Sequence, residues 1–327
     1  MSFGAAFDLI RGEVERGRMP VAILGVADAS GVLALDAFGS VDGRAATTGD
    51  FVPVFSVTKP LVGLAVLRAL ERGLLGLQDP LQGVLPEFGR GREDVVRLVH
   101  LLTHTAGIVE PALDAPEGLS AALLAPGRDF AAGTVSRYSS VAFEGARVML
   151  EAATGRGFEE LVAEVGTLVS PEVRFTFDAD VDPLPIVETA ENGLDWARFA
   201  ALRHPGAGVY TRAADLLALG QSLLAGDGRI VHPGTLAASL RPQTAGLPKL
   251  EPYPVERGQD WGLTWNVRHS DPALLERGLY GHGGWAGCEW WMYPELGLTF
   301  VLLTNRPALG SHGWDASRLH NAVASGV

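Results

Sequence analysis

The sequence contains almost no cysteine and almost no lysine. Cys288 is the one cysteine among 327 residues, so the chain can form no internal disulfide and no multi-cysteine metal site. This composition fits a reducing compartment, and we predict a cytoplasmic protein. Only Lys59 and Lys249 are lysines, and the remaining 24 of the 26 basic residues are arginines. Because arginine replaces lysine nearly everywhere, Lys59, three residues after Ser56, is a candidate for chemistry that needs an amine able to lose its proton, whereas Lys249 has no explanation in the sequence.

Long apolar runs and concentrated positive charge are also absent. The formal net charge is −12, from 38 acidic and 26 basic residues, and no basic cluster is present that would bind a phosphate backbone or an anionic membrane. No apolar run approaches the roughly 18 residues of a membrane span. The segment Met1–Pro20 predicts an amphipathic helix rather than a secretory signal. We therefore expect neither a nucleic-acid nor a membrane partner, whereas the oligomeric state is not determined by the sequence.

Apolar strand patterns at both ends of the chain enclose a helical middle. Val21–Ala27 and Val32–Gly39 form a predicted hairpin, and Trp261–Arg268 and Leu298–Thr304 predict further strands. Helical patterns fill much of the sequence between them. We therefore predict an α/β fold of the α+β type, in which an antiparallel sheet flanked by terminal helices carries an inserted all-helical lobe.

The predicted domain boundaries follow from this distribution of strand and helix patterns along the chain. Residues 1–72 and 246–327 form the predicted discontinuous sheet domain, and residues 73–245 form the mostly helical inserted domain. The active site is expected in the cleft between them. Helices are predicted at four places in the middle: Val95–Leu102, Val141–Ala153, Phe158–Leu168 and Ala213–Leu224.

The first candidate site is Ser56–Lys59, at the start of a predicted helix. Residues three apart share a helix face, so the Lys59 amine would lie beside the Ser56 hydroxyl. Such an amine can take the serine proton or lower the pKa of the group that does. The alternative is that Ser56 only caps the helix and that Lys59 is solvated. The apolar segment Pro60–Leu67 predicts a buried helix and favours the functional interpretation, because a buried ammonium needs partners.

The second candidate is Tyr138-Ser139-Ser140, before the predicted helix that starts at Val141. A tyrosine with polar neighbours at the start of a helix can act as an acid or a base if cations lower its pKa. For this segment alone, the favoured interpretation is that Ser140 caps the helix and that Tyr138 is a half-buried aromatic residue.

The third candidate is Gly281–Trp285, which carries three glycines within a predicted strand. Glycines inside a strand mark a bulge or a close approach of another backbone or ligand. Strand amides at such a place would point at the oxygen of a substrate acyl group and stabilise its charge. A glycine-kinked hairpin with a hydrogen-bonded His282 explains the pattern equally well.

In this order, the three motifs resemble the serine β-lactamase and penicillin-binding-protein superfamily. The nearest branch contains class C β-lactamases, family VIII carboxylesterases, DD-carboxypeptidases and D-aminopeptidases. The resemblance extends to segments outside the motifs: Leu77–Leu81, Leu101–Ile108 and Leu302–Arg306. Together with the motifs, these segments are distributed over most of the chain, and their joint occurrence is highly specific.

The resemblance implies an acyl-enzyme mechanism with Ser56 as the nucleophile. Lys59 would tune proton transfer, and Tyr138 would be the general base for attack and the general acid for the leaving group. His282 belongs to the third catalytic motif. The amide N–H groups of Ser56 and Trp285 would form the oxyanion hole. The residues implied in substrate binding are Ser140, Gly283, Gly284 and Trp285.

Two departures from the β-lactamase pattern narrow the predicted substrate. Ser140 replaces the asparagine of Tyr-x-Asn, so the side-chain amide that contacts the acylamide of β-lactams is missing. The segment His282-Gly283-Gly284 replaces Lys-Thr-Gly, and a neutral imidazole is a weaker carboxylate anchor than an ammonium. We therefore predict a carboxylesterase whose partner is a small-molecule ester or amide.

Three alternatives stay open at this point. The form of the His282 motif also fits a D-amino-acid peptidase or amidase, and a β-lactamase is a second alternative enzyme. A catalytically inactive ligand-binding or scaffold protein is the alternative from another class, and Ser140 is its only support. No cofactor and no metal are expected, because His100 and His104 lack the intervening glutamate of a zinc-protease motif.

Overall fold

The computed structural model describes residues 2–252, 259–268 and 278–327. The strands in this part of the chain are β1 (Val21–Asp28), β2 (Gly31–Val41), β3 (Arg44–Ala45), β4 (Val52–Pro53), β5 (Tyr210–Thr211), β6 (Gln259–Trp261), β7 (Asn266–Arg268), β8 (Leu279–Gly283), β9 (Glu289–Tyr293) and β10 (Leu298–Thr304). The helices are α1 (Gly4–Glu15), α2 (Thr58–Glu71), α3 (Leu98–Leu102), α4 (Leu119–Leu123), α5 (Ala142–Thr154), α6 (Phe158–Thr167), α7 (Trp196–Ala201), α8 (Ala213–Ala225), α9 (Pro233–Ser239) and α10 (Ala316–Ala324).

The two ends of the chain meet in one antiparallel sheet. Its strand order is β3-β2-β1-β10-β9-β8-β7-β6. In β1, Ile23 lies opposite Ala37 of β2 on one side and opposite Leu303 of β10 on the other. The N-terminal hairpin and the C-terminal strands therefore share hydrogen bonds, and the predicted fold class is confirmed.

The side chains of the central strands alternate between two apolar layers, as the pleat of a sheet requires. Leu24 of β1 and Phe300 of β10 belong to the layer that includes α1 and α10. Ile23 and Leu303 point to the opposite layer, where α8 packs on β1 and β10. The terminal helices therefore cover the sheet as predicted. Helix α8, which also packs on the sheet, lies within the range 73–245 predicted for the helical lobe. The predicted domain boundaries stay a prediction.

One predicted strand, Trp261–Arg268, is wrong, because the segment forms β6, a tight turn and β7. Within the turn the N–H of Gly262 donates to the carbonyl of Trp265 at 2.9 Å, and Thr264 has a φ of 72°. Leu263 and Trp265 are both buried. Apolar alternation alone therefore could not separate a single strand from a short hairpin, since the same residues are buried in both.

The helix after Ser56 is buried on all sides, as the sequence predicts. Every residue from Thr58 to Leu67 in α2 is buried. The predicted helices at α5, α6 and α8 are confirmed to within about two residues, whereas α3 begins at Leu98 and not at Val95. No helix in the described parts of the chain is long and apolar enough to cross a membrane.

A separate two-stranded sheet fixes the start of α2. Strand β4 pairs with β5, with Val52 opposite Thr211. The N–H of Val54 donates to the carbonyl of Val209 at 2.9 Å, and the N–H of Val209 donates to the hydroxyl of Thr58 at 3.0 Å. The chain on both sides of Ser56 is therefore tied to the segment that follows residues 204–208.

Candidate active site

The Ser56 hydroxyl and the Lys59 amine lie in contact. Ser56 occupies a 3-10 turn, Phe55–Val57, that leads directly into α2. Lys59 Nζ lies 3.1 Å from Ser56 Oγ. Lys59 is 0% exposed, whereas Ser56 is only partly buried. The spacing of the motif therefore has the predicted geometric result: a buried amine lies beside the hydroxyl of a partly exposed serine.

The Lys59 amine has two further hydrogen-bond partners. It lies 3.1 Å from the hydroxyl of Ser140 and donates to the carbonyl of Gly206 at 2.9 Å. Burial lowers the pKa of Lys59 from 10.5 to about 7, and the negative charge of Glu110 opposes this shift. Near neutral pH the amine and the ammonium are therefore both populated, which is the state a proton-transfer group needs.

Tyr138 covers the amine with its aromatic ring. Lys59 Nζ lies 4.5 Å from the centroid of the Tyr138 ring. On its other sides the ring contacts His104, at a centroid distance of 4.5 Å, and His282, at 5.9 Å. The structure thus brings Tyr138, Lys59 and His282 of the three predicted motifs together.

The capping interpretation of Ser140 is wrong, because its neighbour Ser139 fills that role. The hydroxyl of Ser139 accepts a hydrogen bond from the N–H of Ala142, the first residue of α5, at 3.1 Å. The hydroxyl of Ser140 is instead directed at Lys59. A side chain that hydrogen-bonds the amine therefore occupies the position at which the Tyr-x-Asn pattern has asparagine.

Glu110 is a member of the site that the sequence analysis missed. Its carboxylate accepts hydrogen bonds from the N–H groups of Ser140, at 2.7 Å, and Val141, at 3.4 Å. Glu110 is exposed as a residue, yet desolvation of its carboxylate at this place raises its pKa. No motif marks it, since a glutamate in a loop is ordinary until the fold places it near a buried amine.

The end of β8 lies against the segment that carries the nucleophile. A Cβ on Gly284 would lie 2.5 Å from the carbonyl oxygen of Val54, so the two backbones touch here. The next residue, Trp285, places its indole 5.2 Å from the ring of Phe55. No backbone carbonyl in residues 2–252, 259–268 or 278–327 accepts from the Trp285 N–H. The close approach predicted from the glycines is therefore present, and this amide is available to a ligand.

Three imidazoles surround Lys59, and we call them the buried histidine set: His104, His204 and His282. Each is at most 1% exposed, and each Nδ1 bonds a main-chain group of a segment that builds the site. The bonds are Ser139 N–H to His104 at 3.0 Å, Gly206 N–H to His204 at 2.9 Å, and His282 to the carbonyl of Gly283 at 2.6 Å.

The buried histidine set is uncharged at neutral pH. Burial, followed by the charge of Lys59, lowers the pKa of His204 and His282 to about 3, and the same causes hold the pKa of His104 well below its usual value. His282 therefore offers no positive charge to a substrate carboxylate. His204 was missed by the sequence analysis, because a histidine beside a Pro-Gly pair shows no pattern that distinguishes it from a loop residue.

Four aromatic side chains form an apolar wall beside the nucleophile, and we call them the aromatic wall: Phe55, Trp196, Phe199 and Trp285. The ring of Phe55 lies 5.2 Å from Phe199 and 6.4 Å from Trp196. Phe55 and Phe199 are buried, whereas Trp196 and Trp285 are partly exposed. Phe55 directly precedes Ser56 in the chain, and Trp285 directly follows Gly284, which lies against Val54, so the wall is next to the segment that carries the nucleophile.

The Cys288 thiol does not belong to the candidate active site. Cys288 lies between β8 and β9, is 0% exposed, and donates its thiol to the carbonyl of Thr304 at 3.4 Å. Burial raises the pKa of the thiol to about 12, so it is not a nucleophile near neutral pH. In the described residues no group of three or more His, Cys, Asp or Glu side chains is arranged to hold a metal ion.

Known proteins are similar to this chain in both sequence and fold. The family model named Beta-lactamase matches residues 6–324. The chain belongs to the beta-lactamase family. Esterase EstB from Burkholderia gladioli is 31% identical in an alignment that covers 82% of this chain and 80% of that protein. Penicillin-binding protein 4 from Amycolatopsis lactamdurans is 27% identical in an alignment that covers 80% of this chain and 74% of that protein.

A solved structure supports the same assignment of the fold. EstCE1, described as a hydrolase with promiscuous acyltransferase activity, matches with a TM-score of 0.79 over 98% of this chain and 97% of its own, at 22% identity. This beta-lactamase family member is a serine hydrolase with the β-lactamase fold.

Proposed function

We propose that this hydrolase is a carboxylesterase that cleaves small esters through an acyl-enzyme on Ser56. The observation that carries the proposal is the aromatic wall beside Ser56, with Trp196 and Trp285 still partly exposed. Apolar side chains at this place bind an apolar acyl or alkoxy group by removing its surface from water. They offer no charged partner to a peptide or β-lactam carboxylate.

The proposed reaction uses the groups around Lys59. Ser56 Oγ attacks the ester carbonyl carbon while its proton passes to the Lys59 and Tyr138 pair. The N–H groups of Ser56 and Trp285 stabilise the oxyanion of the tetrahedral intermediate. The intermediate collapses as the carbon–oxygen bond to the alcohol breaks and the alcohol takes the proton from Tyr138. A water molecule then attacks the acyl-enzyme by the same path and releases the acid.

Two further observations support an ester over a carboxylate-bearing substrate. His282 is neutral near pH 7 because its pKa is about 3, so it cannot anchor a carboxylate by charge. The relative Esterase EstB carries the esterase name at 31% identity. Ser140, which hydrogen-bonds Lys59, and Gly284, which lies against Val54, stay in the proposed substrate-binding set together with Gly283.

Covalent labelling tests the nucleophile. A fluorophosphonate probe is expected to label the folded wild-type protein at Ser56, as located by peptide mapping, and Ser56→Ala is expected to remain unlabelled. Absence of label in folded wild-type protein, together with no turnover of p-nitrophenyl butyrate, would support the inactive ligand-binding alternative and reject the proposal.

A substrate panel tests the specificity. We expect turnover of p-nitrophenyl butyrate to exceed that of a D-alanyl peptide and of the β-lactam nitrocefin. Trp196→Ala is expected to lower kcat/KM for the butyrate about tenfold while the acetate ester changes little, because one to two methylene groups of contact are lost. A preference for the D-alanyl peptide would replace the esterase proposal with the peptidase alternative.

A further inference from the structure

The Lys59 amine has one partner that can only accept a hydrogen bond. The hydroxyls of Ser56 and Ser140 can each donate or accept, whereas the carbonyl of Gly206, 2.9 Å from Lys59 Nζ, can only accept. A neutral amine has two N–H bonds and one lone pair. Because one N–H is committed to Gly206, the other N–H and the lone pair must point to the two serine hydroxyls. The position of this carbonyl therefore sets the orientation of the amine.

A tight turn holds the Gly206 carbonyl in place. The N–H of Gly206 donates to Nδ1 of His204 at 2.9 Å. The carbonyl of His204 in turn accepts from the N–H groups of Ala207, at 2.9 Å, and Gly208, at 2.7 Å. His204 thus bonds three successive residues of the turn, one through its side chain and two through its main chain.

The turn has no room to adjust its position. A Cβ on Gly206 would lie 2.9 Å from the carbonyl oxygen of Ser140, and a Cβ on Gly208 would lie 2.6 Å from the nitrogen of His204. The chain leaving the turn enters β5, which pairs with β4 just before Ser56. A change in the turn would therefore be transmitted to the acceptor of Lys59.

The imidazole of His204 is built to accept this hydrogen bond. It is 1% exposed, and its ring centroid lies 6.5 Å from that of Phe199 in the aromatic wall. An Nδ1 that accepts from an amide carries no proton, so the ring is the Nε2–H tautomer. A protonated ring would place an N–H against the N–H of Gly206, and the bond would be lost.

We propose that His204 is a positioning residue that fixes the Gly206 carbonyl and thereby aims the Lys59 amine at Ser56. This inference rests on the proposed role of Ser56 and Lys59 in acyl transfer, and it is independent of whether the substrate is an ester or an amide. His204 itself does not touch the reacting atoms. Its effect is on the rate of acylation, through the orientation of the amine.

Two replacements of His204 separate this role from a merely structural one. In His204→Asn, the side-chain oxygen can accept from the N–H two residues later, as in an Asx turn, and so replaces Nδ1. His204→Gln has similar polarity but a longer chain that does not fit this local bond. His204→Ala removes the acceptor altogether.

The test measures the rate at which a fluorophosphonate labels Ser56, normalised to the fraction of sites that finally react. We expect the rate to fall about 10- to 100-fold in His204→Ala and His204→Gln, because small misplacements of catalytic groups have effects of this size. In His204→Asn it should stay within about threefold of wild type. With the ester substrate, kcat should fall in parallel while KM stays nearly constant.

The outcomes distinguish this inference from the proposed function. A wild-type protein that is not labelled contradicts the proposed function. A labelled wild type with an equally fast His204→Ala contradicts the positioning role alone. If His204→Ala does not fold, the comparison of the Asn and Gln variants decides: equal rates at equal thermal stability overturn the proposal.

Discussion

Replacing Lys59 by arginine keeps the positive charge and removes the ability to lose it. The amine of Lys59 is buried, hydrogen-bonded to three oxygen atoms, and has a pKa of about 7. A guanidinium has a pKa above about 12 and is effectively always protonated in proteins. If proton transfer at Ser56 needs a neutral amine, Lys59→Arg loses that step even though the cation is retained.

The size of the effect follows from the neutral fraction. With a pKa of about 7, about half of the Lys59 side chains are neutral at pH 7, whereas fewer than roughly one guanidinium in 10⁵ is. A positioned acid or base contributes about 10²- to 10⁴-fold to a rate. We therefore expect kcat/KM of Lys59→Arg to fall by about 10²- to 10⁴-fold.

The pH profile provides an independent part of the same prediction. The neutral fraction of Lys59 rises from about one tenth at pH 6 to about nine tenths at pH 8, so wild-type kcat/KM should rise about tenfold over this range. The arginine variant should show no such rise. Both profiles are measured with p-nitrophenyl butyrate after correction for its spontaneous hydrolysis.

The second lysine supplies the matched control. Lys249 donates to the carboxylate of Asp260 at 2.7 Å and to the carbonyl of Gln259 at 2.8 Å. A guanidinium can make both bonds, so Lys249→Arg should leave kcat/KM within about twofold of wild type. The reasoning is refuted if Lys59→Arg, folded by circular dichroism and thermal melting, keeps more than about a tenth of the activity with an unchanged pH profile.

The remaining predictions address the cleft and the buried imidazoles. Ser140→Ala removes one partner of the amine and should lower kcat about 2- to 10-fold, and unchanged steady-state kinetics would contradict this. Gly284→Ala places a methyl group against the Val54 carbonyl and should lower kcat about 100-fold, whereas Gly157→Ala, with nothing within 4 Å of its Cβ, should match wild type. The folded-state pKa values of His204 and His282 are about 3, and that of His104 is held well below its usual value, so the three rings stay neutral in the folded protein where they bind protons in the unfolded chain. The free energy of unfolding should therefore be highest above about pH 6.5 and fall as the pH decreases below it, by up to about 1.4 kcal/mol per pH unit for each histidine. Urea unfolding at pH 7, 6 and 5 measures it, and a constant value would refute the assignment.

The sequence indicates the fold because its patterns are local and periodic. The hairpin of β1 and β2, the strand β10 and the buried helix α2 follow from apolar periodicity and from turn residues, and each is present. The turn between β6 and β7 was missed since Leu263 and Trp265 keep the apolar alternation through it. Burial on both arms of a hairpin has the same period as burial along a strand.

The contact between the Ser56 hydroxyl and the Lys59 amine is determined by the sequence alone. Two residues that lie three apart on a helical turn have neighbouring side chains in any fold. Glu110, His204 and Gly206 depend on the tertiary structure. Glu110 and the turn that contains His204 and Gly206 come near the amine from loops far apart in the chain. Neither a glutamate nor a histidine nor a main-chain carbonyl in a loop has a local pattern. The pKa of Lys59 belongs to the same class: it is lowered by burial, and burial is a property of the whole packed molecule.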